Sequence, residues 1–208
     1  MNKSAFVLIL PVVLAACGQS TPSSTPVASV PLLHAQAGTC LGQTATIEAQ
    51  PNLITIGTTG NDVIVGTPGD DVIYADQGDD IICGLGGNDV IYGDWNGISN
   101  AVLYGGRDQI DGGDGNDWIS GNPGDDTLYG GTGDDHVQGD AGGDTLYGFT
   151  GNDYLQGDSG RDNLYGEAGD DTLRGNGDTD FLDGGPQYDD CDGGGNGLFK
   201  PDKKVNCP

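Results

Sequence analysis

The sequence predicts an all-β fold in which very short parallel strands are wound into a flattened coil, two strands to each turn. A nine-residue unit occurs fourteen times between Gly57 and Asp192. Its eighth position is aliphatic in every unit except the last, which has Cys191. A repeat this short indicates a coiled array rather than a globular core. Two units make one eighteen-residue coil, so we expect about seven coils.

Each position of the unit has its own predicted role. Side chains alternate along a strand, so the eighth position points inward and its neighbours outward, and the remaining six residues form the turn. Glycines, nearly constant at positions one and four, supply the positive-φ or crowded backbone that tight turns need. Ten residues, Trp95 to Tyr104, interrupt the fifth unit. Position six is always aspartate, and the fourteen residues are Asp62, Asp71, Asp80, Asp89, Asp108, Asp117, Asp126, Asp135, Asp144, Asp153, Asp162, Asp171, Asp180 and Asp189.

Units such as GTPGDDVIY and GLGGNDVIY resemble the glycine-rich, calcium-binding nonapeptide GGxGxDxUx of the RTX family. The resemblance covers about two-thirds of the chain. It implies a right-handed parallel β-roll, with calcium as the cofactor and the fourteen aspartates as the metal ligands.

Electrostatics independently predict a divalent cation. Aspartates eighteen residues apart, such as Asp126, Asp144 and Asp162, would lie above one another and repel. Calcium relieves this repulsion because it takes about six to eight carboxylate and carbonyl oxygens in flexible geometry, whereas magnesium requires a rigid octahedron. Seven coils leave six gaps on each edge, so up to twelve calcium ions would nearly balance the net charge of -25. One buried aliphatic side chain per nine residues does not offset the entropy of ordering them, so we expect a largely disordered metal-free repeat region.

The amino terminus predicts export and a lipid tether. An apolar run at 5–16 is too short to span a bilayer and follows Lys3, so residues 1–16 are typical of a secretory signal peptide. The run ends in LAAC, similar to the lipobox of bacterial lipoproteins, which implies lipidation of Cys17; the alternative is an ordinary signal peptide with an incidental cysteine. Residues 17–38 predict a lipidated, disordered Ser/Thr/Pro tether. We therefore expect a cell-envelope lipoprotein facing the extracellular or periplasmic side, with the anchor as its only membrane contact.

The remaining four cysteines predict two disulfides, because an even number in an exported protein is typical of paired cysteines. Three pairings are compatible with the sequence. We favour Cys40 with Cys83 and Cys191 with Cys207, since each joins a flanking segment to the nearest coils; free buried thiols are the alternative. A stack of coils exposes strand edges at both ends, so we expect residues 39–56 and 193–208 to cap the roll formed by residues 57–192.

The residue inventory predicts a non-enzymatic protein. The segment GDSG at 157–160 matches the nucleophile sequence of trypsin-like proteases, but it occupies positions one to four of a repeat. A triad also needs a histidine base. The only histidines are His34, in the tether, and His136, at an outward position seven. The acidic charge argues against a nucleic-acid partner, because phosphate binding needs lysine and arginine clusters.

Two functional hypotheses follow. The first is a monomeric, envelope-tethered protein that binds calcium and folds on binding it. The alternative is a recognition or adhesion module whose tyrosine row, Tyr129, Tyr147 and Tyr165, or inserted loop binds a polysaccharide or a cell-surface partner. Packing between neighbouring strands is the structural explanation for such a row.

Overall fold

The computed structural model describes residues 38–95, 105–194 and 203–207, and all regular secondary structure in these ranges is β-strand. The predicted signal peptide at 1–16, the lipidated Cys17 and the tether up to residue 37 lie outside the described residues. Residues 96–104 of the insertion do so as well. Within the described ranges, no helix has the length and apolar character needed to cross a membrane.

The strands are short and follow one another at the spacing of the repeat. In chain order they are β1 Thr39–Cys40, β2 Gln43–Thr44, β3 Ile47–Glu48, β4 Ile54–Ile56, β5 Val63–Val65, β6 Val72–Tyr74, β7 Ile81–Gly86, β8 Val90–Tyr92, β9 Gln109–Asp114, β10 Trp118–Ser120, β11 Thr127–Thr132, β12 His136–Ala141, β13 Thr145–Thr150, β14 Tyr154–Ser159, β15 Asn163–Ala168, β16 Thr172–Asn176, β17 Phe181–Asp183, β18 Asp190–Asp192 and β19 Lys203–Val205.

Two parallel sheets form the predicted solenoid. A nine-stranded sheet contains the odd-numbered strands from β3 to β19, and an eight-stranded sheet contains the even-numbered strands from β4 to β18. Strands β5 to β18 come from the fourteen units and give the seven expected coils. Both flanking segments extend the sheets, since β3 and β4 pair with β5 and β6 and β19 pairs with β17. The solenoid therefore has about eight turns rather than seven.

The register brings equivalent positions of successive coils together. Leu128 is opposite Leu146, and Leu146 is opposite Leu164. Across the insertion the partners are twenty-eight residues apart, as in Ile82 and Ile110. The ten extra residues therefore leave the alignment of the coils unchanged.

The position-eight side chains form the core between the two sheets, as the alternation predicts. All thirteen aliphatic residues are completely buried, and Cys191 packs against them. Burial of apolar surface stabilises a fold by roughly 25 cal/mol per Å². These position-eight side chains therefore make the main hydrophobic contribution to the fold. The thirteen are Ile64, Ile73, Ile82, Ile91, Ile110, Ile119, Leu128, Val137, Leu146, Leu155, Leu164, Leu173 and Leu182.

The strands of the central coils are longer than the repeat predicts. Six-residue strands such as β13 continue from position seven through position three of the next unit, so the sharp turn contains only positions four to six. Position two then adopts a left-handed conformation even without glycine, with φ of 75° at Phe149 and 70° at Glu167. Glycine spacing does not predict this requirement, because it places the unusual conformations at glycines alone. Most position-four glycines do have positive φ, for example 131° at Gly151.

Two disulfides tie the ends to the roll. Cys40 is bonded to Cys83, and Cys191 to Cys207, which is the pairing that the sequence favours. The antiparallel β1–β2 hairpin brings Cys40 over an outer cluster with Val63, Val65 and Cys83. Cys83 is at the outward position nine, and this covering segment buries it.

Candidate metal centre

The position-six aspartates form two buried columns, one at each edge of the roll. The odd column precedes the strands of the nine-stranded sheet and contains Asp62, Asp80, Asp108, Asp126, Asp144, Asp162 and Asp180. The even column precedes the strands of the eight-stranded sheet and contains Asp71, Asp89, Asp117, Asp135, Asp153, Asp171 and Asp189. Every one of these residues is between 0% and 7% exposed. The structure thus brings together all fourteen predicted ligands.

Oδ1 of every aspartate after the first in each column links neighbouring coils. In all twelve gaps, the backbone N–H of one aspartate donates to Oδ1 of the aspartate in the following coil, with N···O distances of 2.8 to 3.1 Å. Asp126 N–H donates to Asp144 Oδ1 at 2.9 Å, for example. The same bond spans the insertion, from Asp80 N–H to Asp108 Oδ1. These bonds hold the columns in register.

The second oxygen is buried without a donor. Buried carboxylate oxygens normally accept hydrogen bonds, and an unsatisfied buried group costs about 1–3 kcal/mol or more when charged. Among the described residues, no hydrogen bond reaches Oδ2 of Asp80, Asp89, Asp108, Asp117, Asp126, Asp135, Asp144, Asp153, Asp162, Asp171 or Asp189. Because Oδ2 lacks a donor in so many equivalent units of the described structure, these carboxylates need a positive charge to balance them.

The first aspartate of each column is different. Thr58 donates to Asp62 Oδ2 from both its backbone N–H, at 2.7 Å, and its hydroxyl, at 2.9 Å. Thr67 N–H donates to Asp71 Oδ2 in the same way. Threonine occupies position two only in these two units. In the first repeat coil, which has no repeat coil before it, Thr58 and Thr67 therefore supply the donors to Oδ2.

Position-one glycines leave an oxygen-lined space beside most of the carboxylates. A Cβ atom built on Gly130 would lie 2.5 Å from Asp135 Oδ2 and 3.0 Å from the carbonyl oxygen of Gly148 in the next coil. The same crowding recurs at Gly112, against Asp117 Oδ2 and the Gly130 carbonyl. Carboxylate and carbonyl oxygens thus approach the same small space.

Burial perturbs the acidity of these side chains. Desolvation raises the pKa of Asp144 and of Asp135 to about 8, although the backbone N–H donors oppose it, and neighbouring aspartates of the column raise it further. The largest effect is at Asp108, whose pKa burial raises to about 9. The ionised carboxylates are therefore unfavourable in the folded chain unless a cation balances their charge or a proton neutralises them.

A second ladder, which the sequence analysis missed, runs along position five. Exposed Asn and Asp side chains accept the backbone N–H of position five in the following coil, as in Asn152 N–H to Asp134 Oδ1 at 2.8 Å. Asp170 N–H donates to Asn152 Oδ1 at 2.9 Å. The sequence signal that could have predicted this ladder is the preference for Asn or Asp at position five.

The donor set fits a hard cation. In the described ranges, no three side chains of His, Cys, Asp or Glu converge as a metal cluster. The gaps instead combine aspartates from successive coils with main-chain carbonyl oxygens, as at Gly112 and Gly130. Calcium prefers oxygen ligands of this kind and tolerates irregular geometry.

Comparison with known families agrees with this geometry. The family model of the RTX calcium-binding nonapeptide repeat matches four times, over residues 56–94, 104–137, 129–164 and 156–191. A search of curated proteins finds no match. The matched segments cover more than half of the chain and include all fourteen aspartates of the two columns. This protein therefore belongs to the RTX calcium-binding nonapeptide repeat family.

Proposed function

We propose that this protein is a non-enzymatic calcium-binding protein whose repeat region folds when it binds up to twelve calcium ions, one in each gap between position-six aspartates. The observation that supports this proposal is the recurrent buried Oδ2 atom without a hydrogen-bond donor. Calcium would supply the positive charge that compensates these carboxylate oxygens. The carboxylates and the position-one carbonyls would hold it, while the Oδ1 bonds keep successive ligands aligned.

Calcium rather than magnesium suits these gaps. Each gap offers main-chain carbonyls held at fixed spacing by the coils, together with carboxylates from neighbouring units. Magnesium requires near-ideal octahedral geometry and gives up its water reluctantly, whereas calcium accepts about six to eight irregular oxygens. We therefore expect magnesium at equal concentration to leave the chain unfolded.

A titration tests the proposal on the mature chain. Circular dichroism follows strand formation as calcium is added to EDTA-treated protein, and equilibrium dialysis counts the ions bound. We expect cooperative folding with about twelve ions, because a ligand that binds only the folded state stabilises it by mass action. A strand signal that persists in excess EDTA, or binding of one ion or none, would refute the proposal.

The GDSG segment at 157–160 fits a structural role. Asp158 accepts hydrogen bonds from the amides of Gln138 and Gln156, and Ser159 donates to the carbonyl of Asp140. Strand β12 aligns Ala141 with Ser159 and His136 with Tyr154, so this histidine lies at the opposite end of the strand from the serine. Within the described residues, the motif thus has no histidine positioned as a base.

The tyrosine row also fits a structural role. Tyr129, Tyr147 and Tyr165 are stacked with ring centroids 5.3 and 4.9 Å apart. Phe149 packs beside the first two. Because neighbouring rings cover one another's faces, the row offers mainly ring edges to a sugar, whereas sugar binding to aromatic residues uses the faces. We therefore give calcium-dependent folding priority over polysaccharide recognition.

Export and envelope attachment complete the proposal. They rest on the apolar run at 5–16, on Cys17 and on the Ser/Thr/Pro segment that follows. The two disulfides are consistent with an oxidising compartment. Metabolic labelling with a radioactive fatty acid tests the anchor, with Cys17→Ser as the variant in which the label should be lost.

A further inference from the structure

Asp94 is a buried carboxylate outside the two columns. It occupies position two of the fifth unit, and the ten-residue insertion follows it directly. It is 3% exposed, whereas the other acidic residues at position two are only half-buried. Among the described residues, its two oxygens share one donor, the N–H of Gly106, at 3.1 and 3.0 Å. The repeat pattern predicts no role for this residue.

The insertion explains why Asp94 turns inward. In a regular coil, the position-two residue is left-handed and its side chain lies on the sheet surface: Asp158, with φ of 73°, accepts hydrogen bonds from two glutamines there. Asp94 has no positive φ. The ten inserted residues separate position two from position three of this unit, so the carboxylate is not held at the surface position; it lies beside Gly105 and Gly106, at the odd column.

Asp94 and Asp108 face the same gap. A Cβ atom on Gly93 would meet Asp108 Oδ2 and, at 2.7 Å, the carbonyl oxygen of Gly121 in the following coil. A Cβ atom on Gly105 would meet Asp94 Oδ2 and the carbonyl oxygen of Pro123 in that same coil. Asp108 is 1% exposed, and its Oδ2 has no donor among the described residues. Two carboxylates and two carbonyls therefore border one oxygen-lined space.

We propose that Asp94 is an additional calcium ligand, which makes the gap between Asp108 and Asp126 the highest-affinity site of the array. The inference rests on the proposed calcium-dependent folding. Calcium affinity increases with the number of charged ligands and with the rigidity of the site, and this gap has one carboxylate more than a regular gap. The ion that fills it also joins the two ends of the insertion to the coil, so the break in the repeat receives the strongest support.

Trp95 provides a local reporter for this gap. It follows Asp94 directly, and its ring packs edge-on against Tyr74 and Tyr92, with centroids 5.2 and 4.9 Å away. The chain has only one other tryptophan, Trp118. A Trp118→Phe background therefore restricts tryptophan-sensitised terbium emission to ions near Trp95, since terbium occupies calcium sites and its sensitised emission requires proximity.

The test compares three variants in that background, each titrated with terbium and then with competing calcium. Asp94→Asn keeps an oxygen for Gly106 N–H but removes the charge, so we expect the first step to weaken by about 10- to 100-fold, the range seen when groups supporting a metal site are lost. Asp94→Glu keeps the charge and should restore most of the affinity. Asp158→Asn, at the equivalent position on the sheet surface, should titrate like the background protein.

The possible results separate the two proposals. If the background protein neither folds nor binds with calcium, the proposed function fails. If it folds with calcium but Asp94→Asn titrates unchanged, Asp94 is not a ligand. If both Asp94 variants are unfolded at saturating calcium by circular dichroism, Asp94 serves packing rather than charge, and the inference is overturned.

Discussion

Replacing Asp144 by asparagine isolates the charge of one carboxylate from its hydrogen bond. Asp144 is completely buried, Oδ1 accepts Asp126 N–H at 2.9 Å, and Oδ2 has no donor in the described structure. Asparagine keeps the Oδ1 acceptor and replaces Oδ2, the proposed calcium ligand, by a neutral amide nitrogen. A charged interaction contributes about 1.5–3 kcal/mol net, so affinity for the adjacent ion should fall roughly 10- to 150-fold.

The control is Asp134→Asn, at the exposed position five. Asp134 Oδ1 accepts Asn152 N–H, and asparagine already occupies this position in several units. This substitution removes the same formal charge outside the column. We expect it to leave the number of bound ions unchanged.

The assay must separate one ion from many. If folding is coupled to about twelve ions, a loss of about 1.5–3 kcal/mol moves the calcium midpoint only about 1.2- to 1.5-fold. Urea unfolding at a series of calcium concentrations is more informative, because the slope of unfolding free energy against RT ln[Ca²⁺] counts the ions. We expect a slope of about twelve for the wild type and for Asp134→Asn, and one fewer for Asp144→Asn. Equal slopes and equal stabilities for the two variants would refute the assignment of Oδ2 as a metal ligand.

Three further outcomes follow from the structure. Gly130→Ala would place a Cβ atom against Asp135 Oδ2 and should cost about 1–3 kcal/mol in calcium-loaded protein, whereas Gly69→Ala meets nothing within 4 Å and should be nearly neutral by the same urea assay. In EDTA, where the repeat region is expected to be disordered at neutral pH, burial would raise the pKa of Asp80 to about 6 and of Asp108 to about 9 in the folded state, above the ordinary 3.8, so the folded state binds more protons than the unfolded chain; strand structure recovered near pH 4 should therefore be lost as pH rises to about 9, and a gain of strand signal by circular dichroism would contradict this. Replacing both cysteines of the 43-residue Cys40–Cys83 link by serine should cost about 4 kcal/mol, measured by thermal unfolding at saturating calcium.

Much of the fold could be predicted because every unit has the same pattern of aliphatic, glycine and aspartate positions. A single aliphatic position and an invariant aspartate determine the inward column and the acidic edges, and the sheets show both. The details that were missed arise from contacts between coils. The left-handed backbone at Phe149 follows from strand continuation, and the donors to Asp62 depend on Thr58, so neither is visible from glycine spacing. Asp94 was missed because its burial depends on where the inserted segment leaves the coil.

A comparison of positions five and six shows which property of aspartate position six requires. Both provide a side-chain oxygen to a backbone N–H in an adjacent coil, and they do so in opposite directions along the stack. Position five only needs an acceptor, and the chain uses Asn61, Asn88 and Asn152 there interchangeably with aspartate. Position six makes an equivalent bond, which asparagine would also make, yet it is aspartate in all fourteen units. The difference between the two side chains is the charge and the second oxygen, which at position six lies buried beside main-chain carbonyls. Hydrogen bonding between coils therefore does not account for the invariant aspartate, whereas the proposed calcium ion does.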